Sequence, residues 1–210
     1  MRKYLTNKKI YVIVFFVCVI GIIIFSIYQG FKTNDKYREG VAAEVNGEVI
    51  FANEIERVLS EYDDTDGITY DGILENTINE LLLVQYGKRN GFIASKEEIL
   101  EREEYLKNTM PDVYAEIEKN GIEDYRKNLE NLIIYEKTKN DYLLQCSSEV
   151  RVSEEEAKKW YISNISVNMD GYEKNKDMII TKLEEEKIRC VVSRLVDELK
   201  EVSEIKIYER

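Results

Sequence analysis

The chain contains no histidine, one proline and ten glycines in 210 residues. The absence of histidine excludes Ser-His-Asp and Cys-His catalysis, histidine metal sites and histidine pH sensing. Scarce proline and glycine argue against a many-stranded sandwich or barrel, which needs turn residues at short intervals. There are three cysteines, Cys18, Cys146 and Cys190, and their wide spacing matches no zinc or CxxC pattern. Cys18 falls in an apolar run. A Cys146–Cys190 disulfide would need an oxidising space, and two buried free thiols are the reading we favour. Basic residues are also in deficit: 30 against 41 acids, for a net charge of −11. That balance disfavours nucleic acid as a partner.

What is present is first a block of hydrophobicity. Residues 10–28 read IYVIVFFVCVIGIIIFSIY, nineteen residues without a charge. As a helix they span roughly 28 Å, close to a bilayer's hydrocarbon core. Arg2, Lys3, Lys8 and Lys9 precede the run with no acid among them, which predicts a cytoplasmic tail (1–9), an anchor (10–28) and an exterior remainder. The run exceeds a signal-peptide core, and Ser26-Ile27-Tyr28 is a poor cleavage site, so a retained single-pass cell-membrane anchor is expected. No lipoprotein box precedes Cys18. All 41 acids lie beyond the run with 26 of the 30 basic residues, leaving the exterior part 15 charges negative. Such a surface is solvated and does not seek anionic lipid.

Residues 29–40 are polar, without apolar periodicity, and read as a linker. In VAAEVNGEVIF, Val45, Val49 and Phe51 are apolar and Asn46-Gly47 marks a turn, which predicts a strand, a tight turn and a second extended piece. Asn53 with Glu56 predicts a capped helix to about Tyr62. The acidic EYDDTDG stretch lacks calcium-loop spacing and reads as a turn. Leu74, Ile78, Leu81, Leu82 and Gln85 mark a helix from Asp71 to Asn90, stopped by Asn90-Gly91 with Phe92 beyond.

Ser95 with Glu98 forms a second capping box, opening a helix to about Thr109. Pro111 begins another helix that Asn120-Gly121 ends. Ile122, Tyr125, Leu129, Leu132, Ile133 and Glu136 mark a long helix to about Gln145. Ser153 with Glu156 opens a short helix through Trp160 and Tyr161, residues 165–171 read as a loop, and a long helix from Tyr172 carries Ile180, Leu183, Val191, Leu195 and Leu199. EIKIYE alternates as a closing strand. A lone strand leaves its backbone unpaired, so the first and last strands are expected to pair, with helices between them.

Several stretches resemble the SurA/PrsA-type extracytoplasmic chaperones. VAAEVNGEVIFANEIERVL is similar to that family's opening strand and helix. LLLVQYGKRNGFIASKEEI resembles its helix ending in K/R-x-G, an apolar residue and a Ser/Thr cap with acids. GIEDYRKNLENLIIYEK and VSEEEAKKWYISN resemble the helices that follow, and EEEKIRCVVSRLVDELKEVSEIKIY the final helix and strand. The resemblance covers about 41–210. It implies a mainly α fold: the anchor, then a multi-helix SurA N-terminal-like domain (41–210) whose first and last short strands pair. In the family a parvulin prolyl isomerase domain sits after the Ser-Glu-Glu-Glu helix. Here that gap is a loop of under ten residues, whereas a folded domain needs ~50. The resemblance therefore implies the chaperone module without the isomerase, no enzyme activity and no cofactor.

Carboxylate-only chemistry has no supporting motif. Glu97/Glu98, Glu103/Glu104 and Glu154–Glu156 fall at helix starts or on helix surfaces, where they favour the dipole and solubility. The Asn164-Ile165-Ser166 sequon is treated as chance. Fifteen tyrosines offer apolar area with a hydroxyl. The candidate client-binding residues are Tyr86, Phe92, Tyr105, Met110, Tyr114 and Trp160, each also a candidate for core packing. The expectation is an anchored chaperone that binds unfolded or newly exported polypeptides. The alternative is a dedicated scaffold or adaptor subunit of a secretion or sporulation complex. Ile-, Lys-, Asn- and Tyr-rich usage fits a Gram-positive bacterium with an AT-rich genome.

Overall fold

A computed structural model describes residues 40–62, 67–164 and 171–208. The anchor at 10–28, the linker up to 39, the middle of the acidic turn and most of the 165–171 loop lie outside the described residues. Among those described, the order is β1 (Val41–Val45), β2 (Glu48–Phe51), α1 (Ala52–Leu59), α2 (Tyr70–Arg89), α3 (Lys96–Thr109), α4 (Pro111–Gln145), α5 (Ser147–Val150), α6 (Glu154–Ser163), α7 (Tyr172–Glu201) and β3 (Ile205–Ile207). The fold is mainly helical with one small antiparallel sheet, ordered β2-β1-β3. No helix among the described residues is long and apolar enough to cross a membrane.

The chain divides into two compact units. Described residues up to Leu81, with Ile93–Ile133 and the chain from Glu204 on, form the first; Leu82–Phe92 and Ile134–Ser203 form the second. Helices α2 and α4 contribute residues to both.

In the first unit, Asn46 and Gly47 both take positive φ, 51° and 86°, the conformation of the two-residue turn whose twist matches antiparallel strands. The first and last strands pair: Ala43 faces Ile207, Glu44 faces Lys206 and Val45 faces Ile205. Ala43, Val45 and Ile50 are buried. Val49 and Phe51, the apolar markers of the second extended piece, are exposed. Alternation along a strand permits only one of the two sets to face the core, and the pairing of Ala43 with Ile50 selects Ile50.

Helix α1 corrects an expectation. It begins at Ala52, with Phe51 at the N-cap and no side-chain cap. β2 runs directly into it, and the Ala52 N–H donates to the Gly40 carbonyl at 2.7 Å, so Asn53 is already inside the helix. The helix stops at Leu59, short of Tyr62. Helix α2 starts at Tyr70 rather than Asp71, with the Thr69 hydroxyl accepting from the Gly72 N–H at 3.1 Å.

The capping box at α3 is complete: Ser95 N–H donates to Glu98 Oε2 at 2.8 Å and Glu98 N–H to Ser95 Oγ at 3.2 Å. Pro111 opens α4, and helical backbone breaks at Gly121 (φ 165°, ψ 59°) without an intervening loop. Leu106 on α3 packs with Ile117 before this break and with Tyr125 and Leu129 after it. Each such fully buried side chain stabilises by about 1.5–3 kcal/mol relative to exposure.

In the second unit, α2 ends as its sequence predicts. Gly91 takes φ 82°, Phe92 N–H donates to Gly87 O at 2.9 Å and Gly91 N–H to Lys88 O at 3.1 Å, which together make a Schellman stop. Gly87 lies against Thr138 so closely that an added Cβ would sit 2.0 Å from its Oγ1. The Ser153–Glu156 box caps α6. Val152, Ala157 and Ile179 form a small core that Trp160, Tyr161, Tyr172, Ile180 and Leu183 flank. Ile179, not the predicted Ile180, is the fully buried residue of that turn.

Candidate functional site

The six aromatic and methionine candidates divide between the units. Tyr105, Met110 and Tyr114 gather at the α3–α4 junction of the first unit. Tyr105 and Met110 are exposed, at 40% and 39%. Tyr114 is half-buried against the Leu106–Tyr125 cluster, and Lys107 Nζ stands 5.5 Å from its ring centroid. Tyr86, Phe92 and Trp160 belong to the second unit, all half-buried. Trp160 packs on Ala157 and Ile179, with Lys182 Nζ 4.8 Å over its ring. Packing thus accounts for Trp160 and for much of Tyr114; Tyr105 and Met110 remain as accessible apolar surface.

Beneath the junction lies a polar pair that sequence reasoning placed wrongly. Glu103 is not on the helix surface: it is 5% exposed. Both of its carboxylate oxygens accept from the Arg126 guanidinium, through Nε and Nη2, and Arg126 Nη1 also reaches Glu123 at 2.9 Å. The bond to Glu103, reinforced by its charge, raises the Arg126 pKa further. Beside the pair, the buried Tyr125 hydroxyl has no hydrogen-bond partner. Burial raises the pKa of that phenol, with the Glu103 charge and Tyr114 adding to the effect and Arg102 opposing it.

Sequence reasoning also missed the outer face of the sheet. Val41 and Phe51 stand directly opposite each other, Val49 lies two residues from Phe51, and all three are exposed at 41–43%. Glu44 on the same face accepts from the Tyr208 hydroxyl at 3.3 Å. The signal was in the turn: a two-residue loop closing on Val45 and Glu48 fixes which face Val49 takes. Ten of the fourteen exposed large apolar side chains among the described residues belong to this first unit.

In the second unit a depression of about 440 Å³ is lined by Glu149, Leu183, Glu186, Lys187, Cys190, Val191 and Arg194. Arg194 bonds Glu149 Oε2 at 2.9 Å and approaches Cys146 Sγ at 3.9 Å. Both described thiols are free, but neither is buried as expected: Cys146 is half-buried and Cys190 exposed, because α7 turns Val191 inward in its place. Lys187 binds Glu156 and the Arg151 carbonyl, and Glu154 binds both Lys158 and Lys176. These glutamates are engaged in ion pairs that join α6 to α7.

Among the described residues no group of three or more cysteine, aspartate or glutamate side chains is placed to hold a metal ion. Chemically, what the first unit offers is dispersed exposed apolar surface. No protein-family model matches the chain, and no curated protein matches it.

Proposed function

We propose that this protein is a membrane-anchored extracytoplasmic holdase: a SurA/PrsA-like chaperone module, without a parvulin domain, that binds unfolded exported polypeptides non-covalently. The observation that carries the reading is the first unit's surface, where most of the exposed large apolar side chains occur among acids. Scattered exposed apolar residues are common on any protein, so it is their concentration in one unit that matters. The strand–helices–strand order with β1 paired to β3 fits the resemblance drawn from the sequence. Between Ser163 and Tyr172 eight residues occupy the place where the family carries its isomerase. Anchoring through residues 10–28 would hold the module where chains emerge and raise their effective concentration.

The test uses the full chain in phosphatidylcholine nanodiscs. A chemically unfolded, unrelated protein is diluted into it and light scattering is followed. Suppression at near-stoichiometric ratios, absent with empty nanodiscs, supports the holdase. If the folded protein leaves aggregation unchanged, the reading falls in favour of a scaffold or adaptor devoted to one partner.

A further inference from the structure

The exposed apolar residues of β2 coincide with a backbone edge that no strand among the described residues covers. The Val45–Glu48 pair closes the two-residue turn and therefore exchanges hydrogen bonds across the hairpin. Alternation makes Glu44–Val49 a non-bonded pair and Ala43–Ile50 a bonded one. The Ala52 N–H to Gly40 carbonyl bond sets the same phase beyond the β1 irregularity, so Val41–Phe51 is also a non-bonded pair. The Val49 N–H and C=O and the Phe51 N–H consequently point away from β1. No strand lies beyond β2 among the described residues. An edge of this kind, with Val49, Phe51 and Val41 exposed beside it and Glu48 and Glu54 exposed nearby, selects an extended chain rather than a helix.

We propose that β2 is a docking edge that takes an extended segment of non-native polypeptide as an added strand. Its backbone would pair with Val49 and Phe51, and its alternate side chains would be apolar over Val49, Phe51 and Val41 and basic toward Glu48. The proposal rests on the holdase reading and names its binding mode. The acidic exterior complements a basic segment. Backbone pairing suits a binder of varied chains, because every polypeptide carries the same donors and acceptors. The opposite edge, β3, is the poorer site: it has three residues, and its middle one is Lys206, a residue type that blunts exposed edges.

The probe is a fluorescein-labelled peptide of alternating lysine and valine, titrated by anisotropy into the full chain in phosphatidylcholine nanodiscs, with empty nanodiscs as control. A second peptide carries N-methyl groups along one edge, which removes donors while keeping the side chains. The expected result is a loss of affinity of about tenfold or more on N-methylation, since several backbone hydrogen bonds are lost together. Val49→Pro deletes an outward N–H that the sheet does not use, and weakens the unmodified peptide about fivefold. Ile207→Pro, on the other edge, leaves binding unchanged. Equal binding of both peptides, or indifference to Val49→Pro, overturns the proposal, and the peptide comparison decides even if that variant misfolds. Aggregation suppression that persists alongside such indifference removes the edge and spares the holdase; absence of both suppression and peptide binding in the unmodified protein removes both. Sedimentation showing a dimer that Val49→Pro dissociates would assign the edge to a second copy and overturn the proposed occupant.

Discussion

Asn46 and Glu204, separated by 158 positions, exchange two hydrogen bonds. The Asn46 N–H donates to the Glu204 carbonyl at 2.8 Å, and the Glu204 N–H donates to Asn46 Oδ1 at 2.9 Å. One residue therefore makes the hairpin turn and receives the returning chain. Its positive φ suits asparagine better than most residues, and its amide oxygen satisfies the backbone entering β3. This pair aligns β3 on β1, and thereby determines which edge of the sheet is left to β2.

Asn46→Gly keeps the backbone conformation and deletes the acceptor, whereas Asn46→Ala loses both. We expect losses of about 1 kcal/mol for glycine and about 2 kcal/mol for alanine. Chemical denaturation followed by circular dichroism checks the order. Equal effects would mean that the positive φ costs alanine nothing, and a glycine variant as stable as the parent would mean that the amide oxygen contributes nothing.

Gly87→Ala places a Cβ 2.0 Å from Thr138 Oγ1 and 2.9 Å from Ile134 Cγ2. Overpacking of this kind costs about 1–3 kcal/mol. Thr138→Ala alone also destabilises, because its buried hydroxyl bonds the Ile134 carbonyl at 2.8 Å. The double variant should lose less than the sum of the two, since the hydroxyl that clashes is gone. Strict additivity in the thermal midpoints would disprove the close approach.

The Tyr125 hydroxyl is buried without a partner, a cost of roughly 1–3 kcal/mol that phenylalanine at this site would not incur. Tyr125→Phe should accordingly leave stability unchanged or raise it. Because the folded phenol has a raised pKa, its contribution is full below the ordinary value of 10 and is lost as pH rises through the folded one. Absorbance titration near 295 nm should show one tyrosine ionising only when the protein unfolds. Its ionisation alongside the exposed tyrosines would contradict this.

Glu154 has a carboxyl pKa of about 2, first because Lys158 and Lys176 donate hydrogen bonds to it and then through their charges. Glu156 is lowered likewise, chiefly by the bond from Lys187 and then by the Ser153 backbone. A depressed folded pKa gives stability that is present above the ordinary 4.5 and is lost as pH falls through the folded value near 2. Amide protection in α6 and the adjoining turn of α7, taken relative to the intrinsic exchange rate at each pH, should fall across that window, less so in high salt. Glu154→Gln should flatten the response, and an unchanged pH profile would show that the ion pairs do not hold α6.

Local chemistry is legible in the sequence itself. The Ser95–Glu98 and Ser153–Glu156 boxes and the Asn90-Gly91 stop each depend on groups within a few residues, and the Asn46-Gly47 turn on its own two, so sequence alone specifies them. The pairing of the first and last strands is legible too, since short strands must find partners. The Asn53 box does not form, because Gly40 ties the backbone at Ala52. Glu103 reads as a surface acid because Arg126, twenty-three positions away, leaves no trace in its neighbourhood. Ile179 instead of Ile180, Val191 instead of Cys190, and Ile50 instead of Val49 and Phe51 are all choices of face. A periodic pattern shows that an element has an apolar side; only the partner that packs against it decides which residue of an ambiguous pair turns inward.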